Sequence, residues 1–284
     1  MKLYRLKESI LLEDSGSFFK SENTDFTVLL EQEDLIEAIN QMDLKAIASE
    51  EAQIEIEKGI LAPIGQQEVW AAGVTYYRSR TARMEESEKA GGSTFYDKVY
   101  DAARPELFMK ATARQVVGPK GTVNIRLDST WDVPEPELTL LISPKGKITG
   151  YTIGNDMSSR SIEGENPLYL PQAKVYDGSA AIGPCILVAQ EELPATTEIT
   201  LQIERNGAEA FRESTQLEQL KRKPKELVEW LYRECSFPNG CFLMTGTGIV
   251  PDNFSLEPGD VVHISIEGIG TLTNKVGKKK NYSI

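Results

Sequence analysis

From Val69 onward the apolar residues come in short runs. They read VWAAGV, TVNIRL, ELTLLI, KITGYTI, CILVA, EITLQIE and VVHISIEG, each bounded by glycine or proline turns. Brief runs rich in β-branched and aromatic residues between turn formers predict strands. Two helical patterns interrupt them, one over about 76–103 and one in KPKELVEWLYRECS near 223–236. There is no regular alternation of strand and helix, so a parallel α/β sheet is not expected. The pattern predicts an α+β, β-rich core, mostly antiparallel, with peripheral helices. Residues 1–65 are different: acidic, weakly periodic, with one amphipathic helix in LEQEDLIEAINQMDL, where Leu35, Ile36 and Ile39 fall at helical spacing. Ala62-Pro63-Ile64-Gly65 reads as a linker. The expected division is a small N-terminal subdomain, 1–65, and a catalytic domain, 66–284. No internal repeat or low-complexity tract is visible, and the late GKKKN reads as a solvated tail.

Composition narrows the function. A chain of 284 residues is long enough for one large domain, or one large and one small. Its 40% hydrophobic and 26% charged residues are ordinary for a globular protein. A net charge of −12 argues against nucleic-acid and anionic-membrane partners, which need a basic face. The opening MKLYRLKESILLEDSG has no apolar core of a secretory signal. No stretch approaches the about 18 uninterrupted apolar residues of a membrane span. A cytoplasmic location is expected. Cys185, Cys235 and Cys241 are odd in number and lack a CxxC spacing, so they read as reduced thiols. The single histidine, His263, sits in an alternating strand opposite the Val262, Ile264 and Ile266 face. One histidine does not build the usual Zn²⁺ site, and Ser-His-Asp chemistry would rest on it alone.

The candidate chemistry lies in VPEPELTLLI, residues 133–142, where Glu135 and Glu137 alternate with prolines at a strand start. The strand ELTLLIS is followed by the turn Pro144-Lys145-Gly146-Lys147 and the strand ITGYTIGND. With Lys145 and Gly146 as the central turn residues, Glu135 falls opposite Asp156. A slip of one residue on each side puts Glu137 there instead. Opposed residues share a face, and so do residues two apart. Either register therefore gathers Glu135, Glu137 and Asp156 on one face at the open end of the hairpin. Three such carboxylates repel, and one would take up a proton unless a cation joined them. Oxygen-only ligands select Mg²⁺, Mn²⁺ or Ca²⁺ over Zn²⁺. An acidic, solvent-facing strand end is the other reading of the same spacing.

The run from VPEPELTLLI through NDMSSRSIEGENPLYLPQAKVYDGSAAIGP resembles the core of the fumarylacetoacetate hydrolase family, and GTGIVP and PGDVVHISIEGIGTLTNKV resemble its closing segments. The resemblance covers about 69–276. It implies a β-rich roll, one Mg²⁺ (or Mn²⁺) held by Glu135, Glu137 and Asp156, and assembly as a homodimer or a dimer of dimers. One departure changes the expected reaction. Hydrolytic members carry N-Y-x-x-H-x-x-E after the first core strand, and its histidine activates water. Here the segment is Thr75-Tyr76-Tyr77-Arg78-Ser79-Arg80, with Ser79 where that histidine would stand. A branch sharing this departure, the 2-keto-3-deoxy-D-arabinonate dehydratases, is similar through 71–76, Arg104–Phe108, VPEPEL, NDMSSR and EGENPLYLPQAK.

That branch implies water elimination from a 2-keto-3-deoxy sugar acid to give 2,5-dioxopentanoate. The metal polarises the ketone, so no hydrolytic water is needed. Lys174 and Glu106 are the implied proton-moving pair, Lys174 as a neutral amine base and Glu106 as acid, with the roles exchangeable. Thr245-Gly246-Thr247 is expected to hold the substrate carboxylate through hydroxyls and N–H groups. Ser79, Arg80 and Arg83 are expected on a closing segment that suits an anionic substrate. Arg160 and Glu165 are expected to support the metal hairpin from behind. The competing readings are a C–C hydrolase or decarboxylase of a 2,4-diketo acid (acylpyruvate type) and a non-catalytic binding protein.

Overall fold

The structure, a computed structural model, describes residues 1–22, 24–77, 100–251 and 253–279. Its main element is an eleven-stranded sheet. At its centre the strand Pro136–Ile142 pairs antiparallel with Ile148–Asp156 on one side and Cys241–Met244 on the other. Outward from Cys241–Met244 come Glu68–Gly73, in parallel, and then Glu106–Ala111. Outward from Ile148–Asp156 comes Ala180–Val188. The chain leaving Glu106–Ala111 then returns as Val116–Val117 and pairs in parallel with Ala180–Ala181. The sheet is thus curled into a roll, because the chain continuing from its Glu106–Ala111 end comes back to pair with Ala180–Val188 on the far side of the central hairpin.

The roll separates two apolar clusters. Val69, Ala71, Ala111, Leu141, Ala180 and Met244 share one cluster on the inner face, where several small residues suit a tight curl. The outer face, with Leu138, Leu140, Ile153 and Leu243, packs against a second, five-stranded sheet. That sheet contributes alternating residues such as Ile199, Leu201 and Ile203 from Glu198–Arg205, and Val262, Ile264 and Ile266 from Val261–Ile266. The architecture is the α+β, β-rich one that the short apolar runs predict.

Local differences from the sequence reading have physical causes. Residues Lys2–Arg5, Ile10–Asp14 and Ser17–Ser21 form strands that the sequence reading did not expect. They extend the large sheet, because Lys2 and Leu3 pair with Leu187 and Ile186. Weak local patterning was overridden by this tertiary pairing. The helix expected in 223–236 ends at Leu231. Tyr232 instead turns onto the Phe237 ring and gives its hydroxyl hydrogen to the Ser143 carbonyl at 2.9 Å.

The hairpin that carries the carboxylates has one of the two expected registers, that with Glu135 opposite Asp156, reached by a different route. Its turn is a three-residue loop, with Gly146 at φ +82° and Ser143 bonded to Lys147. A bulge between Leu141 and Ile142 then restores the pairing, and Glu137 faces Gly154. Glu135 and Asp156 exchange two backbone hydrogen bonds, of 3.2 and 3.0 Å. The expected open hairpin end is corrected. Pairing continues past the carboxylates, through Val133 with Ser158 and Asp132 with Ser159. Pro134 and Pro136 occupy the alternate positions, whose missing N–H groups would point away from the partner strand. The Cys241–Met244 strand on the other side pairs only from Thr139 onward.

Candidate active site

Because the pleat alternates, Glu135, Glu137 and Asp156 all point to the inner face of the roll. They are 5%, 1% and 1% exposed, and one oxygen from each lies within 4.8 Å of the others. The solvent-facing reading of this strand end is excluded. Burial, then Asp156 and Glu135, raise the Glu137 carboxyl well above the usual glutamate range.

The surrounding cations are distributed unevenly. Lys174 Nζ donates to Glu135 Oε2 at 2.6 Å, Asp156 Oδ2 at 3.0 Å and Ser158 Oγ at 2.6 Å. Arg160 donates to Glu135 Oε1 at 2.8 Å. Lys110 Nζ lies 2.5 Å from Asp156 Oδ1. Among the described hydrogen bonds Glu137 has one donor, the Gly246 N–H at 2.6 Å. The least compensated carboxylate therefore opens onto the space between the three. Three buried oxygen donors, one of them short of positive charge, fit a hard divalent cation such as Mg²⁺, Mn²⁺ or Ca²⁺.

Lys174 reaches this place at the end of the short helix Leu170–Lys174, and its carbon stem is buried with it. Glu106 begins the strand Glu106–Ala111 opposite Gly73, so close that a Cβ on Gly73 would overlap its carboxylate. Gly73, Phe108, Gly246 and Thr247 line the cleft together with the three carboxylates, Arg160 and Lys174. The 245–247 loop is locked from the same side. Val74 has φ +53°, a region that β-branched residues rarely enter. Thr75 beside it donates its hydroxyl to the Thr245 carbonyl at 2.6 Å. Gly246, at φ +94°, approaches so near that any Cβ would strike that hydroxyl. The Thr245 hydroxyl goes to the Leu138 carbonyl at 2.9 Å, and the Thr247 hydroxyl to the Ile249 carbonyl at 3.0 Å.

Ser79, Arg80 and Arg83 lie outside the described residues. Arg160 stands behind the hairpin as expected, but Glu165 is exposed. The acid beside Arg160 is Glu163, 1% exposed, with an oxygen 3.9 Å from the Arg160 Nε. His263 belongs to the five-stranded sheet, 2.9 Å from the Thr273 hydroxyl and 3.6 Å from Glu204. The sequence reading missed Lys110. Its signal was present in RPELFMK, where Glu106, Phe108 and Lys110 alternate onto one face.

The family model for the C-terminal part of fumarylacetoacetate (FAA) hydrolase matches residues 75–277. The chain belongs to the fumarylacetoacetate hydrolase family. A probable 2-keto-3-deoxyxylonate dehydratase of Haloferax volcanii is 48% identical over 223 residues, covering 78% of this chain and 76% of that protein. A 2-dehydro-3-deoxy-D-arabinonate dehydratase of Saccharolobus solfataricus is 44% identical over 224 residues, covering 78% and 75%. A solved structure of 2-keto-3-deoxy-D-arabinonate dehydratase complexed with magnesium and 2,5-dioxopentanoate superposes with a TM-score of 0.86 at 35% identity. That superposition covers 99% of this chain and all of the other. Among the described residues no helix is long and apolar enough to cross a membrane.

Proposed function

We propose that the protein is a Mg²⁺-dependent dehydratase that eliminates water from a 2-keto-3-deoxypentonate, such as 2-keto-3-deoxy-D-arabinonate, to give 2,5-dioxopentanoate. The observation that carries this reading is a buried carboxylate triad with a buried lysine across it and no histidine in the cleft. The dehydratase relatives and the magnesium complex of the structural neighbour support it.

Glu135, Glu137 and Asp156 would hold the ion. When bound, Mg²⁺ polarises the substrate's 2-keto oxygen and steadies the negative charge that builds there as C3 loses a proton. Lys174, which borders two of the ligands, takes that C3 proton as a neutral amine, which requires its ammonium first to lose a proton and give up one of its three bonds to Glu135, Asp156 and Ser158. Glu106 gives a proton to the C4 hydroxyl, which departs as water. The product of this step is an enone with a C5 alcohol. Loss of one C5–H proton and of the C5 hydroxyl proton, balanced by protonation at C3 and C4, converts it to the C5 aldehyde, with no net redox change. Phe108, whose ring centre is 5.8 Å from Lys174 Nζ, gives this side of the cleft an apolar wall. Gly246 orients Glu137 through its N–H, and Thr247 lines the wall that meets the substrate carboxylate. Assembly as a homodimer or homotetramer and a cytoplasmic location belong to the same proposal.

A panel of 2-keto-3-deoxy acids with Mg²⁺, coupled to an aldehyde dehydrogenase, tests the reading. The expected result is semialdehyde formation from a pentonate. Pyruvate release would instead support a C–C bond hydrolase or decarboxylase.

A further inference from the structure

Lys110 has no part in the proton transfers above, yet it is among the most completely buried side chains, at 0% exposure. Its strand carries a bulge at this point. Met109 pairs with Trp70 and Ala111 with Val69, which leaves Lys110 without a partner across the ladder. Bulges next to functional sites re-aim side chains, and this one carries Lys110 across the interior of the roll. There its ammonium meets three oxygens: it donates to the Met157 carbonyl at 2.9 Å and to the Lys174 carbonyl, and forms an ion pair with Asp156 Oδ1 at 2.5 Å. The ion-pair partner is a carboxylate of the metal triad, one acceptor follows it in the chain, and the other is the backbone of the proton-moving lysine.

We propose that Lys110 is a positioning residue that fixes Lys174 against Asp156, and so sets where the base stands relative to the metal ligands. The proposal rests on the dehydratase reading of the cleft. An ammonium offers three donors and no acceptor. Two are used on backbone carbonyls and the ammonium is paired with the Asp156 carboxylate, so Lys110 is directed at protein oxygens rather than at substrate. What it supplies is geometry. The helix Leu170–Lys174 is only five residues long, and the bond to the Lys174 carbonyl ties its last residue to the hairpin. Groups that orient metal ligands in this way change metal affinity by about 10- to 100-fold when removed.

A plain countercharge predicts the opposite sign, and this makes the proposal testable. Removing a cation that merely balances carboxylates relieves repulsion and tightens Mg²⁺ binding. Removing a positioning group loosens it. The test is calorimetric Mg²⁺ titration and steady-state kinetics of wild type, Lys110→Met and Lys110→Arg. The expected result for Lys110→Met is a Mg²⁺ Kd raised about tenfold or more, and kcat lowered about 100-fold with substrate KM nearly unchanged. Lys110→Arg keeps the charge but not the three-point fit, so it loosens Mg²⁺ and lowers kcat too. It decides the matter if the methionine variant does not fold. Mg²⁺ binding as tight as wild type or tighter, or wild-type kcat in either folded variant, overturns the proposal. If wild type itself binds Mg²⁺ but turns over no 2-keto-3-deoxy acid, the dehydratase reading fails. The shift in Mg²⁺ Kd still decides the positioning role.

Discussion

Arg205 on one side, and Lys110 and Lys174 on the other, hold buried carboxylates in opposite ways. Arg205 meets Asp260 through two hydrogen bonds of 2.8 Å and adds the Glu257 carboxylate at 2.8 Å and the Ser255 carbonyl at 2.9 Å. Its side chain is 27% exposed and Glu257 is 64% exposed, so water shares the load. In the roll, three carboxylates and the two lysines that meet them are almost wholly buried, and Glu137 has a single described donor. The first cluster is a fork-to-carboxylate match that joins the Glu198–Arg205 strand to the 255–260 turn. The second is incomplete without a further positive charge. Buried ions that are only partly matched cost stability, so their concentration at one end of the roll marks function, while the tidy pair marks structure.

The largest expected effect comes from removing the least compensated ligand. Glu137→Gln should fold, yet show no Mg²⁺ binding by calorimetry and no measurable turnover. Near-normal turnover would remove Glu137 from the metal site. Lys174→Ala should still bind Mg²⁺ and substrate but lose about 10²- to 10⁴-fold in kcat. Proton exchange at C3 separates its role from that of Glu106. In D₂O, Glu106→Gln should still exchange the substrate's C3 protons without eliminating water, whereas Lys174→Ala should lose the exchange. The reverse pattern would swap the two assignments.

Acidity gives a smaller but signed effect. The Glu137 carboxyl titrates above its ordinary value of 4.5, chiefly because it is buried. The metal-free fold therefore gains stability from this proton below 4.5 and loses it as pH rises through the raised value. Mg²⁺ must displace the proton, so its binding should strengthen with rising pH across the same window. Titrations in buffers of different ionisation enthalpy would show the proton release, and pH-independent binding would contradict it. The smallest functional effect is expected at the tidy pair. Arg205→Ala should cost about 1–3 kcal/mol of stability, since Asp260, 1% exposed, loses its charged partner and keeps only the Glu257 N–H among the described side-chain hydrogen bonds, with kcat unchanged. A large loss of rate in a folded Arg205→Ala protein would erase the contrast between the two clusters.

Much of this was legible in the chain. Short apolar runs located seven strands, and hairpin arithmetic gathered Glu135, Glu137 and Asp156 on one face in either of two registers, of which the structure has the one with Glu135 opposite Asp156. The turn was misjudged, yet the bulge between Leu141 and Ile142 compensated for it. What local pattern could not reveal was curvature. Lys110 and Asp156 lie on strands far apart in the sheet order and meet only because the roll brings Val116–Val117 back to Ala180–Ala181. Glu163 was missed in favour of Glu165 for a related reason. The helix Arg160–Glu165 turns Glu163 inward beside Arg160, a choice of face that six residues of sequence do not display. Family resemblance supplied the expected metal and the pairing of Lys174 with Glu106, neither of which spacing alone distinguishes from surface charge.

The central claim is water elimination with the carbon chain intact, and one NMR experiment tests it most directly. Wild-type protein with Mg²⁺ is given 2-keto-3-deoxy-D-arabinonate in D₂O and the products are followed. The account predicts 2,5-dioxopentanoate as the sole product, carrying solvent deuterium at C4, with formation stopped by chelation of the metal. Appearance of pyruvate, or of the aldehyde without deuterium at C4, would contradict it.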